Sequence, residues 1–117
     1  MPEVMDRAAR FELYRKAFYR FGTKDRLLKT AEEMGEFIAA LMRHLNLPAG
    51  HEPQEVLDSV LEELADTSIM VEQSRAAFMN MRNSRGESVE DIRQRKLARL
   101  AVLVEADLKD KNAEARR

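Results

Sequence analysis

The chain has 117 residues, enough for one compact domain and too few for two of ordinary size. With 44% apolar and 35% charged residues, and few Gly and Pro, the composition points to long amphipathic helices and away from a sandwich or barrel. Twenty Lys plus Arg nearly balance 21 Asp plus Glu, so bulk charge marks out neither nucleic acid nor a membrane surface as partner. No cysteine is present, which excludes disulfides, thiolate zinc sites and a cysteine nucleophile, and two His are too few for a histidine-rich metal site. No apolar run approaches the ~18–20 residues of a membrane span, and the opening MPEVMDRAARFE has no signal-peptide core. A cytoplasmic protein with no membrane attachment is the expectation.

In chain order, the pattern predicts four helices. The first runs from about Glu3 to Arg20, with Val4, Ala8, Phe11, Ala17 and Phe18 near helical spacing. Phe21-Gly22 ends it, and Thr23 is placed to cap a second helix that continues to about Asn46. Leu47 to Pro53 (LPAGHEP) reads as a loop. A third helix follows, with Pro53 and Glu55 suited to its start, and extends to about Met81. After the turn residues Asn83 to Ser88, the Ser88-x-x-Asp91 spacing signals a cap for a fourth helix, predicted to end near Leu108. Residues 1–108 are then one helical domain, and the polar tail 109–117 is expected to fray.

Short loops between four helices imply an all-α, four-helix bundle-like domain. The helices are apolar on more than one side. Leu27, Ala31, Met34, Ile38, Met42 and Leu45 form the main stripe of the second, with Phe37, Ala40 and Leu41 on its flank. Leu57, Val60, Leu64, Val71 and Phe78 form the main stripe of the third, with Met70, Ala77 and Met81 elsewhere. Helices buried on several sides in so short a chain imply a homo-oligomer, a homodimer or homotetramer. The bland alternative is that Met and Ala simply lie on the surface, as apolar residues often do.

The acidic residues cluster twice. The second helix carries Glu32, Glu33 and Glu36, the third Glu62, Glu63 and Asp66, so each holds an acidic pair at i, i+3 on one face. One such pair usually just faces water. Two matching pairs on helices that a short loop makes antiparallel neighbours favour convergence instead. Carboxylates ~5 Å apart repel by about 3 kcal/mol at an effective dielectric near 20, so four together need protonation, splaying or a cation. All-oxygen ligands favour Mg²⁺, Mn²⁺ or Ca²⁺, and the absence of Glu-x-x-His argues against a di-iron bundle. Because Mg²⁺ commonly combines a few carboxylates with substrate phosphates, a polyphosphate ligand is implied.

Glu33-x-x-Glu36, 26 intervening residues and Glu63-x-x-Asp66, set in KTAEEMGEFIAAL and LEELADTSIMVEQ, resemble the metal signature of the MazG-like all-α nucleotide pyrophosphohydrolases. That superfamily includes dimeric dUTPases and dCTP pyrophosphatases. Phe21-Gly22 resembles an aromatic-Gly turn before the first motif, and VEDIRQRKLARL resembles the last, basic helix. Arg26 departs from the Gln expected after that turn, and the lack of Trp leaves no obvious base-stacking partner.

The resemblance implies hydrolysis of a nucleoside triphosphate between its α- and β-phosphates, with pool sanitation or control as the role. Glu33, Glu36, Glu63 and Asp66 would hold Mg²⁺, or Mn²⁺, while Glu32 or Glu62 would orient the attacking water. Either of those two acids reads equally well as a plain surface Glu. Lys96 would contact phosphate or else snorkel from an apolar stripe, with Arg93 and Arg99 as weaker candidates. Lys29 would reach phosphate or pair with Glu33. Phe37 would meet the base, although ordinary core packing explains it more simply. Arg43 and His44 need no role beyond the negative end of their helix. The competing reading is a non-catalytic helical interaction or regulatory module, with or without divalent-ion binding.

Overall fold

The computed structural model describes residues 3–116, which form four helices and no strand. They are α1 (Arg7–Phe21), α2 (Thr23–Leu45), α3 (Gln54–Ala77) and α4 (Val89–Ala115). The chain divides into two compact units, one ending at Ala77 and the other beginning at Phe78. No helix among the described residues is long and apolar enough to cross a membrane.

In the first unit α1 starts later than the apolar spacing predicts, because Asp6 caps it: its Oδ1 accepts from the Ala9 amide at 2.8 Å. Gly22 separates α1 from α2 at φ +90°, a conformation that a side chain would strain, and its amide donates to the Phe18 carbonyl. Thr23 is therefore the first residue of α2 and not its cap. After the 46–53 loop, the Pro53 carbonyl accepts from the Val56 amide as α3 begins. That helix stops at Ala77, four residues before the predicted Met81.

α2 and α3 pack as an antiparallel pair. Arg26 donates to Gln73, the Thr30 hydroxyl meets the Met70 carbonyl and Ser74, and Thr67 donates to the Glu33 carbonyl. Stepping forward along α2 thus steps backward along α3. Thr30, Ala40, Val56 and Gln73 are buried on these helices, and Gln73 is only 2% exposed. The seam is consequently half polar; among the flank residues Ala40 is buried, and Phe37, Leu41, Met70 and Ala77 are half-buried. The main apolar stripes lie outside it. Met34, Ile38, Met42, Leu45, Leu57 and Leu64 are all exposed.

α1 is fastened across this pair. Glu72 of α3 accepts from Arg10 Nε at 2.6 Å and from the Tyr14 hydroxyl at 2.7 Å. Tyr14 is buried and packs edge-on against Phe11, with ring centroids 5.7 Å apart.

In the second unit Asn83 organises the turn, its side-chain oxygen accepting from the Arg85 and Glu87 amides. Ser88 and Asp91 then form a reciprocal capping box, as their spacing predicts. α4 does not end near Leu108. It runs on through the polar residues to Ala115, which bear acids and bases in alternation, among them the Asp107–Lys111 pair.

Candidate metal centre

The antiparallel pairing brings Glu33 and Glu36 of α2 beside Glu63 of α3. One carboxylate oxygen from each lies within 4.8 Å of the others. Helical spacing puts Glu33 and Glu36 on adjacent rows, and the 46–53 loop returns α3 so that Glu63 comes level with them. Glu33 and Glu63 are largely withdrawn into the seam, whereas Glu36 is exposed at its edge. The Glu33 side chain is only 12% exposed.

Each of the two inner acids carries an unanswered oxygen. Glu33 Oε2 and Glu63 Oε2 are buried without a hydrogen-bond partner. Buried acceptors left this way are costly, and such sites call for an ion or water. The opposite oxygen of Glu33 is engaged, with Lys29 Nζ 3.2 Å from Oε1 and 3.3 Å from Glu32 Oε1. Those carboxylates push the Lys29 ammonium above its usual pKa through hydrogen bonds, Glu33 first.

Glu36 shows the same crowding from the other side. Its carboxyl is raised above the ordinary Glu range, first by the charge of Glu33, then by desolvation and by the charge of Glu63. A hard divalent cation fits this donor set: three carboxylates, all oxygen, two of them with a buried oxygen that has no partner. Glu33, Glu36 and Glu63 are the residues that could hold it.

Asp66 is not part of the group of three and is exposed one turn further along α3. Glu32 and Glu62, the predicted water-orienting acids, are exposed beside their neighbours. Phe37 is half-buried one turn beyond Glu33. Of the predicted phosphate contacts, Lys29 lies at the centre in its ion pair. Arg93, Lys96 and Arg99 belong to the second unit. There Arg93 lies 3.5 Å from Glu90, and Lys96 and Arg93 border a shallow hollow with Val89, Ile92, Leu97 and Leu100.

Two polar features escape sequence reasoning. Arg26, the departure from the expected Gln, lies in the seam, its Nε 3.2 Å from Gln73 Oε1 and its guanidinium near the Phe21 ring. The Arg10–Tyr14–Glu72 clamp joins positions about 60 residues apart. No short-range spacing could have signalled it. No family model matches this chain, and neither curated proteins nor solved structures yield a match.

Proposed function

We propose that the chain is a Mg²⁺-dependent nucleoside triphosphate pyrophosphohydrolase of the MazG-like all-α type, cleaving between the α- and β-phosphates to give a nucleoside monophosphate and pyrophosphate. The observation that carries this reading is the trio Glu33, Glu36 and Glu63, with one oxygen of each within 4.8 Å of the others, and with Glu33 and Glu63 each bearing a buried oxygen that has no partner. The ordered acidic motifs on antiparallel helices add the resemblance described above.

In this reading Glu33, Glu36 and Glu63 hold the ion, and Asp66, on the next turn of α3, is the fourth candidate ligand. When bound, a divalent ion supplies neutralisation of phosphate charge and activation of water. Glu32 and Glu62 flank the group on its exposed side, where a carboxylate can accept a proton from water.

The protein also works as a homo-oligomer in this proposal. Each outer stripe trails the seam by one residue: Met34 after Glu33, Ile38 after Phe37, Leu57 after Val56, Leu64 after Glu63. In antiparallel helices that same rotation turns both stripes to one side of the pair. A contiguous apolar side of this kind suits a second copy.

Incubation with Mg²⁺ and a panel of canonical and modified nucleoside triphosphates tests the activity. Pyrophosphate release that falls on the order of 100-fold or more in Glu63→Ala is the expected result. Turnover of no nucleotide would refute the enzyme and leave an ion-binding or regulatory helical module.

A further inference from the structure

We propose that Lys29 is a tethered counter-cation of the carboxylate group, whose charge sets how tightly the site takes a divalent ion before any substrate arrives. The inference rests on the reading of Glu33, Glu36 and Glu63 as metal ligands, and it concerns the regulation of that site.

The two oxygens of Glu33 are divided between different tasks. Oε1 faces the Lys29 ammonium at 3.2 Å, while Oε2 is buried and has no partner. Lys29 therefore neutralises part of the group without filling the position that an ion would occupy. It stands one helical turn before Glu33, a spacing at which lysine and glutamate side chains meet. A second acid, the exposed Glu32, holds the same ammonium at 3.3 Å, so the lysine bridges an outer and an inner carboxylate.

The choice of residue matters here. An ammonium is a compact point charge on a flexible stem, with none of the planar geometry that fixes a guanidinium to a carboxylate. The Lys29 side chain is 41% exposed, which gives it room to swing outward without disturbing the α2–α3 seam. An incoming divalent ion meets the ammonium as a like charge close by. Removing that charge while keeping a stem of similar length leaves the three carboxylates more negative and the buried oxygens where they were. Lys29→Met and Lys29→Gln should then bind metal more tightly than the unaltered protein.

A lysine that merely steadies the Glu33 carboxylate would give the reverse, and an inconsequential surface pair would give no change. The experiment is a titration of the full chain with Mn²⁺ alone, without nucleotide, following free Mn²⁺ by electron paramagnetic resonance. Lys29→Met and Lys29→Gln are each expected to tighten Mn²⁺ binding about tenfold, a shift set by close-range charge, with Lys29→Arg near the unaltered protein. Circular dichroism identifies any variant that fails to fold, and the remaining ones decide. Mn²⁺ binding that weakens or stays unchanged in both neutral variants overturns the role of Lys29 while leaving the metal centre standing. Failure of every form to take up Mn²⁺ overturns both.

Discussion

Glu36 stands beside two other carboxylates, those of Glu33 and Glu63. Its carboxyl titrates above the unfolded range because Glu33 and Glu63 stand close, so the folded state binds its proton more tightly than the unfolded chain does. Within the window opened by that upward shift, stability falls as pH rises. Glu36→Gln should therefore raise the Tm measured in a chelator, and should reduce the Tm gain produced by MgCl₂. Glu72 carries the opposite sign. Hydrogen bonds from Arg10 and Tyr14 lower its carboxyl below the ordinary range, so its contribution is complete above the unfolded pKa and is lost as pH falls through the folded one. Tyr14→Phe removes one charge-assisted hydrogen bond from a buried hydroxyl and should cost about 1–2 kcal/mol at neutral pH, read by urea denaturation. Burial, with Glu72 next, pushes the Tyr14 hydroxyl itself up to about 12, so it stays a donor across that range. The acids were legible as i, i+3 pairs because spacing fixes the helical row on which a side chain stands. Spacing does not fix reach or rotamer, and Asp66, one methylene shorter and turned to solvent, stays outside the trio for that reason.

The elements were legible wherever a local signal stops or starts a helix. Phe21-Gly22, the 46–53 loop and the Ser88–Asp91 box all act over a few residues. Ser88→Ala should cost about 1 kcal/mol of α4 stability and speed amide exchange in residues 89–92, because it strips the cap from the Asp91 amide. Helix ends without such a signal were not legible. α3 stops at Ala77 although Phe78 and Met81 continue its apolar spacing, and α4 continues to Ala115 where apolar spacing has ceased. Which face of α2 meets α3 was not legible either. Hydropathy ranks Met34, Ile38 and Leu64 above Thr30, Thr67 and Gln73, but the chain turns the polar set toward its neighbouring helix. Residues that satisfy one another by long-range hydrogen bonds carry no periodic signature, so the polar part of the seam was not visible beforehand.

At the scale of the whole molecule, the outer stripes set the expected state of assembly. Light scattering should give a mass above the 13.5 kDa of one chain, and Ile38→Glu should return it to that value. A mass of 13.5 kDa across micromolar concentrations in the unaltered protein would end the proposal of a second copy. The seam held by Thr30–Ser74, Thr67 and Arg26–Gln73 also bears on how the chain tolerates change. Hydroxyl and amide partners must stay in step along two helices, so the interior resists sliding by a turn more than it resists separation. Cohesion would then come from residues that a solvent map of one chain marks as superficial. In a saturation scan read by folding yield, charges placed at Ile38 or Leu64 should be purged as severely as charges placed at Ala40, and outward position would cease to predict leniency.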